Sequence, residues 1–387
     1  MITWVIPKDF CCGLICSGVL QNLNTTTILH ARLVYISLCL FFGTLALIVK
    51  IFAQDIYNKL SFCMPNCHDM VCFSNHVTYA IMMSLSIFNF SILIITLTST
   101  TLANSCYLKC WPLKFVFYFI TLFICILAAS ALDYYFLISV PFLLIFLFVQ
   151  SVYLIELNYD WNDTWYEKYS QGSSEFWGML LISFSVICWI LTICMLMIAY
   201  IYTKYFIINL IGFGISVMIT IFSSSPLCQN GSLLSSSLTI MYANYYLTSA
   251  LVVDYKEENY LVLGLDAILS LVSLGYLAFI VPDKVKADKH VQINQTEMKS
   301  FRQNRELEES KIDENEVVEK FTFNNTLFQS VLGCFCFYIG MILTNWQWDF
   351  SKNTHMVAKC IQAAMVFGFY VWTLIAPIII PEKEFNR

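Results

Sequence analysis

The stretch FWGMLLISFSVICWILTICMLMIAYIYT, residues 176–203, carries no charged side chain and decides the fold class. An α-helix rises about 1.5 Å per residue, so about 20 apolar residues cross the roughly 30 Å of hydrocarbon in a bilayer. Glu175 and Lys204 flank the stretch and mark where the apolar character ends. The stretch therefore predicts a transmembrane helix.

The chain as a whole has the same character. Of its 387 residues 59% are hydrophobic and 12% are charged, whereas soluble domains carry about 25% charged residues. The net charge is −5, and basic residues cluster only within a segment of mixed sign. Nucleic acid is therefore not an expected partner, because its phosphates require a basic face.

Applying the same length criterion along the chain predicts an all-α, polytopic transmembrane helical bundle of about ten spans. Each predicted span is an apolar run bounded by charges, proline or polar clusters. The ten spans cover residues 32–52, 76–98, 113–131, 135–157, 175–202, 205–223, 233–251, 260–281, 322–344 and 355–380.

The distribution of charge predicts the orientation and the organisation of the chain. With ten spans, fifteen Lys and Arg residues fall on the side of the termini and six, Lys359 among them, on the other side. Positive charge accumulates on the cytosolic side, so we expect both termini in the cytosol. We divide the chain into an eight-span region, 1–281, a charged cytosolic loop, 282–321, and a two-span region, 322–387.

The charged loop alternates in sign, and 18 of the 47 ionised residues lie between Pro282 and Lys320. Such a pattern is typical of a solvated helix or of a disordered cytosolic segment. A regulatory or partner-docking role is the alternative, and no motif favours it.

Three cysteines lie close together in the first loop predicted on the luminal side, in the sequence CMPNCHDMVC. Because the lumen is oxidising, we expect two of Cys63, Cys67 and Cys72 to form a disulfide. A zinc site that uses these thiols with His68 is the alternative, but no second CxxC pair completes it, so no metal is expected.

Acidic residues within the predicted spans are the candidate functional residues, because a charge in hydrocarbon costs at least about 2.5 to 3.5 kcal/mol. Glu156 and Asp266 lie inside spans, and Asp160 lies near the end of one. We interpret the three as a candidate polar groove or ion site. The alternatives are a neutralised carboxyl or a satisfied packing contact for Glu156 and Asp266, and a side chain that reaches water for Asp160.

No catalytic motif accompanies these carboxylates. The chain has no G-x-S-x-G, no H-E-x-x-H and no phosphate-binding loop, and its five histidines lie at or beyond the span ends. We therefore predict that the protein is not an enzyme and has no cofactor.

Two closing segments carry a family resemblance. MILTNWQW, residues 341–348, and YVWTLIAPIIIPEKEF, residues 370–385, resemble the M-x-L-T-N-W and Y-x-W-T-L-x-A-P-x-x-x-P-x-x-x-F elements of the serine incorporator (Serinc) family. LIELNYDWND, residues 154–163, and NGSLLSSSLTIMYANYYLTSAL, residues 230–251, are similar to two further family elements. The residues that carry the closing motifs are Thr344, Asn345, Trp346, Trp372 and Pro377.

The resemblance covers the order and spacing of elements along essentially the whole chain, and the family's plan of ten helices agrees with the span count. There are departures: Glu156 stands where the family has Asp, Tyr159-Asp160 replaces His-Ser, and Ser249 replaces a Trp. A carboxylate is thus retained in the fourth span, but the histidine is not.

The resemblance implies membrane lipid handling: movement of phospholipids between leaflets, linked to serine incorporation into phosphatidylserine and sphingolipids. Without an ATP-binding motif, such movement would run downhill. The alternatives are a serine carrier or a scaffold for lipid-synthesis enzymes and, third, a membrane-embedded lipid-modifying enzyme. Expected partners are phospholipids, serine or such enzymes, and the expected location is an endomembrane or the plasma membrane.

Overall fold

The structure is a computed structural model that describes residues 25–60, 69–98, 107–108, 111–128, 135–172, 175–203, 205–225, 228, 231–252, 264–278, 306–344 and 354–379. Within these ranges the regular secondary structure is helical throughout. The helices are α1 (Thr25–Ile51), α2 (Ala53–Leu60), α3 (Met70–Thr98), α4 (Trp111–Leu127), α5 (Tyr135–Ser170), α6 (Glu175–Tyr202), α7 (Phe206–Ser223), α8 (Leu233–Val252), α9 (Gly264–Ala278), α10 (Glu306–Leu343) and α11 (Thr354–Ile379).

Each of the ten predicted spans overlaps one of these helices, which confirms the all-α membrane fold. Seven of the helices in the described ranges are long and apolar enough to cross a membrane. Shorter apolar helices, α4 and α9, occupy the third and eighth predicted spans. Helix α8, with 20 residues, occupies the seventh, and its many hydroxyl and amide side chains lower its hydropathy. The orientation of the termini stays a prediction.

Two helices extend beyond the predicted spans. Helix α5 continues from the predicted end at 157 to Ser170, where Trp161 and Trp165 pack with Trp177 and Phe184 of α6. This aromatic cluster stabilises the last turns of α5 after the apolar run has ended. Helix α10 begins at Glu306, inside the charged segment 282–321, and runs without interruption into the ninth span.

The helices form two compact units that do not follow their order along the chain. Unit 1 contains residues 1–135 and 277–340, and unit 2 contains residues 136–276 and 341–387. The chain passes from one unit to the other within α5, α9 and α10. The three predicted regions stay a prediction.

In unit 1, α3 packs against α1, α2 and α4. Helix α10 joins them through close contacts that a small residue permits. A Cβ atom at Gly340 would lie 3.1 Å from the Cβ of Met82 and would also meet the Tyr135 hydroxyl. Tyr135 stacks on Tyr79 with ring centroids 4.3 Å apart. The glycine therefore allows α10 to approach α3.

In unit 2, α8 is the central helix and packs against α6, α7 and α11. Polar side chains link it to its neighbours: Asn244 donates to Ser216 Oγ of α7 at 2.7 Å, and Asn158 of α5 donates to Thr239 Oγ1 at 3.0 Å. A helix with this many polar groups is stable in a membrane only where protein rather than lipid surrounds it. The polarity of α8 thus explains its central position.

The outer faces of α4, α6 and α7 carry large exposed apolar side chains. Ile190 and Met197 on α6 and Ile207 and Met218 on α7 are more than half exposed. In a soluble protein such faces would indicate a binding surface. In a chain with several apolar helices of span length, they are the surfaces that contact lipid.

Candidate functional site

A buried ion pair lies between two helices of unit 2. Lys359 Nζ of α11 is 2.6 Å from Asp266 Oδ2 of α9, and each side chain is only 3% exposed. Either charge alone would be costly at this depth, whereas an opposite charge in contact compensates much of the lost hydration. The pair therefore explains how two ionised residues are accommodated among apolar helices.

Helix α8 completes the surroundings of the ion pair. The Tyr245 hydroxyl donates to Asp266 Oδ1 at 2.9 Å, and Lys359 Nζ donates to Ser249 Oγ at 3.0 Å. Lys359 Nζ also lies 5.7 Å from the centre of the Tyr245 ring, within the range of a cation–π interaction. Both oxygens of Asp266 are thus engaged. Ser249, where the family has Trp, directly contacts the cation.

One turn along α9, a second set of polar groups meets. Gln150 Nε2 of α5 donates to Ser270 Oγ at 3.2 Å, and Gln362 Nε2 of α11 donates to Gln150 Oε1 at 3.1 Å. Gln150, Ser270 and Gln362 are all buried. Ser270 Oγ in turn donates to the carbonyl of Asp266 at 2.8 Å. These bonds connect the second set to the ion pair.

The far end of α9 carries a third polar contact. The Tyr276 hydroxyl donates to Asp160 Oδ2 of α5, and its ring packs on Tyr153 with centroids 6.3 Å apart. Asp160 is exposed. Glu156 lies one turn before Asp160 on α5 and is half-buried. This end of α9 is therefore open to the surroundings, whereas the end with Asp266 is closed.

We call this set of contacts the polar stripe. On α9 it consists of Asp266, Ser270, Ser273 and Tyr276, and its partners on the other helices are Lys359, Tyr245, Ser249, Gln150, Gln362 and Asp160. The eleven residues from Asp266 to Tyr276 span about 15 Å along the helix axis. That length is about half of the hydrocarbon thickness of a bilayer.

The structure places the three predicted groove residues on two helices of one unit. Asp266 and Asp160 lie at opposite ends of the polar stripe and do not touch, and Glu156 lies beside the Asp160 end. Asp266 makes a satisfied packing contact, which is the alternative to a groove role for this residue. A groove role for the three residues stays a prediction.

Sequence reasoning did not single out Lys359, although this residue lies inside the last predicted span. Spans 260–281 and 355–380 begin on the same side of the membrane if ten spans alternate. Asp266 lies six residues after the start of the first span, and Lys359 lies four residues after the start of the second. Their similar depth was the signal that could have paired them.

The family-motif residues lie outside the polar stripe where they are described. Thr344 is buried and donates to the carbonyl of Met341 at 3.2 Å. Trp372 is 55% exposed on α11, and Pro377 lies two residues before the end of that helix. Asn345 and Trp346 lie outside the described residues.

Of the three cysteines that could form the predicted luminal disulfide, the structure describes one. Cys72, near the start of α3, is disulfide-bonded. Cys63 and Cys67 lie outside the described residues, so the pairing stays a prediction. Among the described side chains no group of three or more His, Cys, Asp or Glu residues is placed to hold a metal ion.

Helices long enough to span a bilayer, lipid-facing apolar surfaces and a buried polar stripe define a multi-pass membrane protein. Comparison with known proteins is consistent with this class. The family model described as serine incorporator (Serinc) matches residues 8–383. Because this match covers nearly the whole chain, the protein belongs to the Serinc family.

Curated relatives agree with the family assignment. A probable serine incorporator of Nematostella vectensis is 23% identical over 62% of this chain and 64% of its own length. Serine incorporator 2 of Mus musculus is 23% identical over 62% and 63%, respectively. A probable serine incorporator of Dictyostelium discoideum is 23% identical over 95% and 97%. The chain thus spans somewhat less than two thirds of the first two relatives and nearly all of the third.

Proposed function

We propose that this protein moves phospholipids between the two leaflets of an endomembrane or of the plasma membrane, downhill and without ATP, in connection with serine incorporation into phosphatidylserine and sphingolipids. The polar stripe is the observation that supports this proposal. It extends over about half of the hydrocarbon thickness, and its charged end places a carboxylate and an ammonium inside an apolar bundle.

The chemistry of the stripe suits a phospholipid headgroup. Phosphate is an acceptor for the Lys359 ammonium and for hydroxyl groups, and the amine of a headgroup can donate to the Asp266 carboxylate. Such contacts replace water and lower the free energy needed for the headgroup to leave the aqueous phase. The acyl chains stay in the hydrocarbon of the bilayer, so their transfer adds no cost in free energy.

The gradient of exposure suggests how a headgroup would enter. Asp160 is exposed, Glu156 is half-buried, and Gln150 and Asp266 are buried. A headgroup would reach the Asp160 end first, and passage further along would require the contact between α9 and α11 to separate. The described conformation therefore corresponds to a closed form in this proposal, and opening of the ion pair is the step that limits the rate.

A reconstitution experiment tests the proposal. Purified full-length protein is placed in liposomes with a fluorescent phospholipid, and dithionite then bleaches the outer leaflet. Scrambling carries bleaching well beyond one half of the signal, whereas bleaching that stops at one half contradicts the proposal. Glu156→Gln and Asp266→Asn should slow the second phase. The matched control is Asp163→Asn, which also replaces a carboxylate by an amide, at an exposed position on α5, the helix of Glu156.

A serine carrier is the second candidate function. The charges of the buried pair, an ammonium and a carboxylate in contact, are the groups with which a free amino acid would exchange partners. The names of the relatives, serine incorporator, agree with either candidate. Uptake of radiolabelled serine into the same liposomes distinguishes them: uptake without lipid bleaching supports the carrier, and lipid bleaching without uptake supports lipid movement.

A further inference from the structure

Unit 1 contains a separate set of buried polar side chains that the polar stripe does not include. Arg32 of α1 is 1% exposed, and its Nη2 donates to Asn325 Oδ1 of α10 at 2.9 Å. The guanidinium also lies 5.2 Å from the centre of the Phe328 ring. Two helices therefore hold a positive charge inside the unit.

Several polar atoms around this charge have no hydrogen-bond partner among the described residues. They are Nδ2 of Asn325, both amide atoms of Gln329 and the hydroxyl of Tyr107. Each of these side chains is at most 1% exposed. Asn325 and Gln329 are four residues apart and share one face of α10. Buried polar groups are normally satisfied, so a cluster of unsatisfied ones calls for an explanation.

The unsatisfied groups lie beside the same cation. The Tyr107 hydroxyl lies beside both Arg32 and Gln329, but it is not in hydrogen-bond geometry with either. Burial raises the pKa of Tyr107 to about 12, so its hydroxyl stays protonated and remains a donor at any physiological pH. Lys114 of α4 places a second positive charge near Tyr107. Its Nζ donates to the Tyr107 carbonyl at 2.8 Å.

The depth of the cluster indicates the chemistry of its ligand. Arg32 is the first residue of the predicted span 32–52, and Asn325 lies three residues after the start of the predicted span 322–344. Both residues therefore lie near the boundary between hydrocarbon and headgroups, where the phosphates of lipids are found. An oxyanion at this depth would accept hydrogen bonds from the amides and the hydroxyl while it faces a guanidinium.

We propose that Arg32, Tyr107, Asn325 and Gln329 form a buried binding site for a phosphate group, carried by a phospholipid or free in solution. A phosphate offers enough oxygen acceptors for the three unsatisfied donors and for the guanidinium together. A protonated phosphate oxygen can also donate to Gln329 Oε1. The site is distinct from the polar stripe and would hold its ligand in place rather than pass it on.

The test measures thermal unfolding of the purified full chain in detergent with three probes: phosphatidic acid, inorganic phosphate and phosphatidylcholine. A ligand that binds the folded state raises the melting temperature with its concentration. Gln329→Leu and Asn325→Leu should each weaken phosphate binding by about tenfold or more, because a hydrogen bond to a charged group is lost. Asn89→Leu is the control, because Asn89 is a buried amide of the same unit that contacts the thiols of Cys39 and Cys336 instead.

The probes distinguish the source of the phosphate. Stabilisation by phosphatidic acid alone, lost in Gln329→Leu and retained in Asn89→Leu, supports a lipid phosphate. Stabilisation by inorganic phosphate with the same pattern supports a free ion. If none of the three probes stabilises the wild type, or if Gln329→Leu retains the full effect, the proposal is overturned. Native mass spectrometry of the wild-type protein gives a readout independent of any variant: retention of a phosphate-bearing mass supports the site, and its absence at saturating probe contradicts it.

Discussion

Lys359 and Asp266 form an ion pair of 2.6 Å within unit 2, on α11 and α9, and both side chains are almost fully buried. Neither residue stands alone, because Tyr245 and Ser249 of α8 bind the carboxylate and the ammonium, respectively. Three helices thus meet at one pair of charges.

Lys359→Met leaves the Asp266 carboxylate buried without its cation. We expect a loss of about 3 to 5 kcal/mol in the free energy of unfolding, the usual range for a broken buried pair. The double variant Lys359→Met/Asp266→Leu should recover much of that loss, because no unpaired charge remains. Unfolding in detergent measures both, with Lys168→Met at an exposed position as the control. Equal losses in the single and double variants would contradict this account.

Gln150→Leu removes the side chain that connects α5 to α9 and α11. Hydrogen bonds between helices in membrane proteins contribute about 0.6 kcal/mol on average. A double-mutant cycle of Gln150→Leu with Gln362→Leu should therefore give a coupling energy of about that size. Strictly additive effects of the two substitutions would show that the bond of 3.1 Å between them contributes nothing.

Tyr276→Phe removes only the hydroxyl that binds Asp160 at the open end of the polar stripe. Since Asp160 is exposed and water can replace the lost donor, we expect a change below about 1 kcal/mol in stability. If lipid headgroups use the stripe, the same substitution slows the second phase of dithionite bleaching. Tyr200→Phe, at an exposed position on α6, should leave the rate unchanged, and equal slowing in both variants would count against the stripe.

Gly340→Ala places a methyl group against Met82 and the Tyr135 hydroxyl. Such overpacking typically costs about 1 to 3 kcal/mol. Gly368→Ala is the matched control, because a Cβ atom at Gly368 of α11 meets nothing within 4 Å. There the higher helix propensity of alanine should leave stability unchanged or raise it by up to about 1 kcal/mol. Similar melting temperatures for the two variants would contradict the close approach of α10 to α3.

The helices themselves could be predicted because each depends on local sequence. An apolar run such as 176–203 is recognised without knowledge of its neighbours, since its transfer into lipid depends on its own side chains. The ends were harder to predict. Helix α5 continues to Ser170 because Trp161 and Trp165 pack on α6. Hydropathy averaged over consecutive residues does not include a contact between two helices.

The candidate site could be predicted only in part, for a related reason. Asp266 and Asp160 were singled out because a carboxylate in an apolar span is conspicuous by itself. Lys359 was missed because it lies near the start of its span, where a lysine can usually extend to water. What distinguishes it from such a lysine is contact with Asp266, and that contact depends on the packing of α9 against α11.

The amino-acid sequence by itself determined that this chain is a helical, multi-pass membrane protein, and its closing motifs were sufficient for the Serinc family. These properties depend on side chains close together along the chain. Tertiary structure alone decided which charges are paired, which amides are left without partners, and that α8 is enclosed by other helices. Such properties depend on distances between residues far apart in sequence, and in a bilayer those distances are set by helix packing rather than by hydropathy.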